Sequence, residues 1–173
     1  LSARPRTLRD RLRECREAGQ PGIPADELVR TLEGPAKALD FLHEPMHDLG
    51  AGPGPVVHGG INPRSLVIDG QTVKVADWAN LTRWKTFEVQ RRITSSAVIR
   101  GVAFSSPEAL AGKPEIASDQ YSLAMVYAAL RTSTLPYQRG ANPAEMMELV
   151  RRGELDFSKL PRPERRVVTK ATA

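Results

Sequence analysis

His43 and His47 stand four residues apart, the spacing that puts two imidazoles on one helix face, where they could share a metal ion. Pro45 lies between them and no third ligand is evident, so the pair falls short of a metal site. Cys15, the only cysteine, has Arg13 and Arg16 beside it, and their charge would favour a thiolate. A lone thiol among charged helical residues is nonetheless read as incidental. Gly50-Ala51-Gly52-Pro53-Gly54 looks like a loop that cradles phosphate with backbone amides. It follows a predicted helix and precedes a predicted strand, the reverse of the order such a loop needs, and is read as linker.

The elements that would position chemistry follow from periodicity and caps. Thr7-Leu8-Arg9-Asp10 reads as a capped helix start with Asp10 at N3, the helix running to about Ala18. Pro24 suits the first position of a second helix, with Asp26 and Glu27 complementing its positive end. Leu28, Leu32, Ala36, Leu39 and Leu42 give that helix one apolar face. Gly34-Pro35 inside it should cost about 3 kcal/mol or force a kink. Two β-prone runs, Ser65 to Ile68 and Thr72 to Ala76, flank Asp69-Gly70 and predict a tight hairpin. A long segment without periodicity spans Asp77 to Glu108, a length usually reserved for functional loops. Ser118 is predicted to cap a helix that is apolar nearly all round from Tyr121 to Leu130, so that helix belongs at the centre of the core. Asn142-Pro143-Ala144-Glu145 opens a further helix, and Pro163 begins a last one.

Composition narrows the classes. The chain has 173 residues, 40% apolar and 26% charged, enough for one packed domain. Its longest uncharged apolar run, Ser122 to Leu130, is nine residues, too short to cross a bilayer. One cysteine excludes an internal disulfide and fits a reducing compartment, so the expected location is cytoplasmic. The net charge of +5 invites a nucleic-acid reading, but the arginines are scattered among glutamates. Aromatics make up only 5%, too few for stacking platforms, and no nucleic-acid partner is expected.

Four local patterns, in order, resemble the large C-terminal lobe of a protein kinase, in tone a bacterial serine/threonine kinase. Val56-Val57-His58-Gly59-Gly60-Ile61-Asn62-Pro63-Arg64-Ser65-Leu66 is similar to the catalytic loop H-R-D-x-K-P-x-N. Val73-Lys74-Val75-Ala76-Asp77-Trp78-Ala79 resembles the D-F-G strand and turn, and Ser106-Pro107-Glu108 the A-P-E triplet. Ser118-Asp119-Gln120-Tyr121-Ser122-Leu123 resembles the start of the central buried helix. The likeness covers essentially the whole chain. It implies an α+β, mainly helical fold: a helical bundle with a small β-hairpin, one partial domain over residues 1–173.

The same resemblance implies a loss of chemistry. Gly60 stands where the catalytic aspartate would accept the substrate proton, and Asn62 where a lysine would steady the transferring phosphate. Ser65 replaces the asparagine that holds a second metal, and Gly101 the threonine that bridges these groups. Phosphoryl transfer depends on positioning and electrostatic stabilisation, so losing all four argues against ordinary catalysis. Asp77 matches the aspartate that binds Mg²⁺, Val67 the residue that floors the adenine, and Trp78 the apolar plug of the turn. His58 and Asp119 match residues that hold the catalytic loop together, His58 below the turn and Asp119 by capping the loop backbone from the buried helix. Gly59 replaces the arginine that would receive a phosphorylated activation segment, so Thr94, Ser95 and Ser96 could take phosphate without the usual switch.

The resemblance also implies an N-terminal lobe carrying the glycine-rich loop and the ATP-anchoring lysine, neither of which is found here. ATP and Mg²⁺ are accordingly expected only together with such a lobe. Glu108 would pair in the family with an arginine expected past Ala173, and is expected to lack that partner. The expected function is therefore a pseudokinase lobe serving as a binding or scaffold module, with at most residual nucleotide binding. Its expected docking surfaces are the helices after Tyr137 and the long activation-like segment. The alternative is a serine/threonine kinase retaining weak ATP-dependent transfer through Asp77 and metal.

Overall fold

The computed structural model describes residues 4–50, 52–77, 101–137 and 142–173. Thr7 opens the first helix, α1 (Leu8–Glu17), with its amide and hydroxyl both donating to the Asp10 carboxylate at 3.0 and 2.8 Å. Arg4 closes on the same carboxylate at 2.6 Å and holds it well below the usual aspartate range. Leu8 and Cys15 are turned into the core, so the lone thiol is buried.

α2 (Ala25–His43) begins one residue later than the sequence suggests, because Pro24 takes the N-cap position rather than the first helical one. Arg11 of α1 grips Glu27 of α2 through two bonds of 2.6 and 2.9 Å. Leu28, Leu32 and Leu39 supply the buried face. The helix runs unbroken through Gly34-Pro35, and its neighbour explains the glycine. A Cβ on Gly34 would sit 3.2 Å from the Val73 carbonyl oxygen, so the bare backbone lets α2 lie close against a strand.

That strand belongs to the expected hairpin. Four-residue strands Leu66–Asp69 and Thr72–Val75 pair antiparallel, Leu66 opposite Val75 and Asp69 opposite Thr72. Gly70, with φ +59°, makes the two-residue turn affordable. The chain before α1 extends this sheet, with Thr7 bridged to Val67 and the Ile68 amide donating to the Arg6 carbonyl at 2.8 Å.

A second small sheet was not foreseen. His47–Asp48 pairs antiparallel with Pro53–Gly54, inside the stretch read as plain linker. The organiser is Asp48, whose carboxylate accepts the amides of Gly50 at 2.7 Å and Gly52 at 3.2 Å while both glycines adopt positive φ. In chain order these four strands are β1 (His47–Asp48), β2 (Pro53–Gly54), β3 (Leu66–Asp69) and β4 (Thr72–Val75).

Ser106 caps the short α3 (Pro107–Leu110), accepting the Ala109 amide at 3.3 Å. α4 (Ile116–Thr132) forms the middle of the core, with Met125, Val126 and Leu130 wholly buried. Ser118 does not cap it. Glu115 does, and Ser118 at N3 accepts the Glu115 amide at 3.0 Å, the reciprocal half of a capping box. α5 (Pro143–Arg151), capped by Asn142, and α6 (Arg162–Ala171) follow. Glu164 of α6 accepts from both Tyr127 and Arg131 of α4, at 2.9 and 3.1 Å.

The protein is thus α+β, with six helices and two small antiparallel sheets lying wholly within the described residues. α4 packs against α2 on one side and α6 on the other. Among the described residues no helix is long and apolar enough to cross a membrane.

Candidate functional site

The loop 56–65 joins β2 to β3 and is held by α4. Asp119, fully buried near the start of α4, accepts the His58 amide through Oδ2 and the Gly59 amide through Oδ1, both at 2.8 Å. His43, the last residue of α2, brings its Nε2 to 3.0 Å from Oδ2 of the same carboxylate. Each donor stands in for hydration that the buried side chain loses on folding.

His58 is also wholly buried. The Gly60 amide donates to its Nδ1 at 3.2 Å, and its Nε2 lies 3.0 Å from the Ala76 carbonyl oxygen. This network assigns the proton to Nε2, which donates to Ala76, leaving Nδ1 to accept. The ring thereby ties the loop to the residue before Asp77. Gly59 adopts φ +66°, a backbone state in which an arginine would be strained.

The side chains of Asn62 and Ser65 turn onto the loop's own backbone. Asn62 donates from Nδ2 to the Gly60 carbonyl at 2.8 Å and accepts the Arg64 amide at Oδ1, 3.0 Å away. Ser65 accepts the Asn62 amide at 3.0 Å and donates to the Asn62 carbonyl at 2.9 Å, with only 1% of its surface exposed. Gly60 is half-buried and offers no side chain. Gly101 is half-buried too, and its carbonyl accepts the Ser105 hydroxyl at 3.1 Å.

Asp77 lies exposed just past β4 with φ +68°, an uncommon backbone state for an aspartate. Val67 is half-buried on β3. Trp78 lies outside the described residues, as do Thr94, Ser95 and Ser96. The donor set does not fit a two-ligand Mg²⁺ site: Asp77 offers a hard carboxylate, but the Ser65 hydroxyl is buried and already engaged twice.

Glu108 accepts a short hydrogen bond from the Ser118 hydroxyl. Burial pushes its carboxyl up, but the hydroxyls of Ser106 and Ser118 outweigh that and hold it below the ordinary glutamate value. No arginine among the described residues forms an ion pair with it.

His43 and His47 do not converge. His43 faces Asp119, while His47 donates from Nε2 to the Phe41 carbonyl at 2.8 Å and sets its ring edge-on to Phe41, centroids 4.9 Å apart. Sequence spacing showed the two histidines as a possible pair but carried no sign that residue 43 meets residue 119. Among the described residues no group of three His, Cys, Asp or Glu side chains could hold a metal. No protein-family model and no curated protein matches this sequence.

Proposed function

We propose that the chain is the large lobe of a protein-kinase-like domain and acts as a pseudokinase, a binding or scaffold module for a protein partner in the cytoplasm. One observation supports this above the others. In the loop that resembles the kinase catalytic loop, every polar side chain at a reacting position is absent or hydrogen-bonded to the loop itself. Gly60 supplies no base, Asn62 no cation, and the Ser65 hydroxyl is not available to a metal. Loss of a positioned general base and of a charge stabiliser should each cost about a hundredfold in rate.

The alternative, weak ATP-dependent phosphotransfer, is favoured by Asp77 alone, an exposed carboxylate suited to a hard cation. The discriminating measurement is phosphoryl transfer from labelled ATP with Mg²⁺ by the intact protein, beside Asp77→Ala. Folded protein should incorporate no more label than the variant. Incorporation that disappears in the variant would establish a working kinase and overturn the proposal.

A further inference from the structure

The exposed stripe of α2 changes character along its length. Near its start Arg30 pairs with Asp26 at 3.0 Å, and about two turns later Lys37 pairs with Glu33 at 2.6 Å. These acids have cations of their own helix beside them. Beyond Lys37 the pattern stops. Residues 38–63 contain three carboxylates, Asp40, Glu44 and Asp48, and no lysine or arginine at all, in a chain whose net charge is +5. All three are exposed, and none forms an ion pair among the described residues.

The same end of α2 exposes large apolar side chains. Phe41 is 58% exposed, Met46 64% and Leu49 55%, three of the seven large apolar residues left open to solvent among those described. They are not scattered singly. The Met46 amide donates to the Glu44 carbonyl, and His47 folds back to bond the Phe41 carbonyl and stack its edge on the Phe41 ring. Asp48 then fixes the β1–β2 turn through the Gly50 and Gly52 amides. Phe41 is thus carried on the last turn of α2 and held against His47, at low further cost in chain entropy on binding.

We infer that this end of α2, with exposed Phe41 and Met46 as apolar anchors and the exposed acids Asp40, Glu44 and Asp48 interleaved with them in the sequence, docks a basic peptide segment with aliphatic anchors. Charge selects the occupant. Three carboxylates that form no ion pair among the described residues steer lysine- and arginine-rich segments and disfavour acidic ones. The inference rests on the binding-module reading and names a partner chemistry for it.

The test uses the intact protein and two fluorescent probe peptides, one of lysine and leucine, the other with glutamate in place of lysine. Binding is followed by anisotropy at low and raised salt. The lysine peptide should bind, the glutamate peptide should not, and salt should weaken the complex. Phe41→Ser, and separately Asp40→Lys with Glu44→Lys, should each weaken binding about tenfold or more. Both changes lie at exposed positions, and an unchanged circular dichroism spectrum would show the fold intact. A lysine peptide that binds these variants as it binds the parent, or peptides of either charge that bind alike, would overturn the inference. Self-association abolished by Phe41→Ser, without peptide binding, would make a second copy the occupant and overturn it equally. Phosphotransfer is measured separately, so label incorporation would refute the pseudokinase reading while peptide binding alone decides the patch.

Discussion

Asp119 receives the backbone amide of His58 at 2.8 Å, joining positions 61 residues apart in the sequence. The same carboxyl group takes the Gly59 amide and faces the His43 imidazole, so one buried side chain ties together the end of α2, the loop 56–65 and the start of α4. Removing it leaves several buried donors without a partner. Asp119→Ala should therefore lower stability by about 3–5 kcal/mol. Asp119→Asn, which keeps one acceptor oxygen, should cost less. Urea unfolding midpoints of the two variants check this, and an Asp119→Ala midpoint equal to the parent's would show that the network contributes nothing net.

Ser65 is a smaller instance of the same logic. Its hydroxyl serves the Asn62 amide and carbonyl and is almost wholly buried. Ser65→Ala should cost about 1–2 kcal/mol in stability. It should leave phosphotransfer at the level of the Asp77→Ala control. A gain or loss of transfer in Ser65→Ala would mean that this hydroxyl takes part in chemistry.

Two glycines should respond unequally to the same substitution. A Cβ on Gly22 would stand 2.3 Å from the Arg131 carbonyl oxygen and 2.6 Å from that of Leu130, backbone atoms that cannot swing away. Gly22→Ala should cost about 2 kcal/mol or more. On Gly34 the nearest atom is 3.2 Å away, and the gain of about 1 kcal/mol in helix propensity offsets the crowding. Gly34→Ala should thus stay close to the parent, a contrast that thermal unfolding of the pair would show.

At the acid end, Asp10 is the group to follow. Its hydrogen bond with Arg4, then those from Thr7, depress its pKa below the ordinary 3.8. A depressed carboxylate contributes stability that is present above pH 3.8 and is lost as pH falls through the lower folded value. Asp10→Asn should flatten that acid limb in a stability–pH profile. An unaltered limb would show that the Arg4 pairing does not persist in solution.

The three tyrosines of the chain bear on the alkaline end. Burial, followed by the Glu108 charge for Tyr121 and the Glu164 hydrogen bond for Tyr127, pushes both phenols up to about 12, and burial raises Tyr137 as well. A raised phenol contributes stability that is complete below pH 10 and is lost as pH rises towards 12. Tyrosinate absorbance of the native protein should accordingly lag that of the unfolded chain between pH 10 and 12. Coincident titrations would mean that these hydroxyls are solvated.

Local rules made much of the architecture legible. Thr7 with Asp10, the leucine stripe of α2, Asp69-Gly70 and the capping Asn142 each announce an element through residues a few positions apart, because caps, amphipathic faces and tight turns are short-range devices. The apolar run from Tyr121 to Leu130 likewise marks a helix surrounded by protein. Short-range signals mislead where two residues can play the same part: Ser118 looks like a cap and is the N3 partner of Glu115. What only the tertiary structure decided are contacts between distant segments. Asp119 with His43 and the Gly34 backbone against Val73 leave no periodic trace, since carboxylate contacts and close backbone approaches depend on where the chain returns and not on spacing along it.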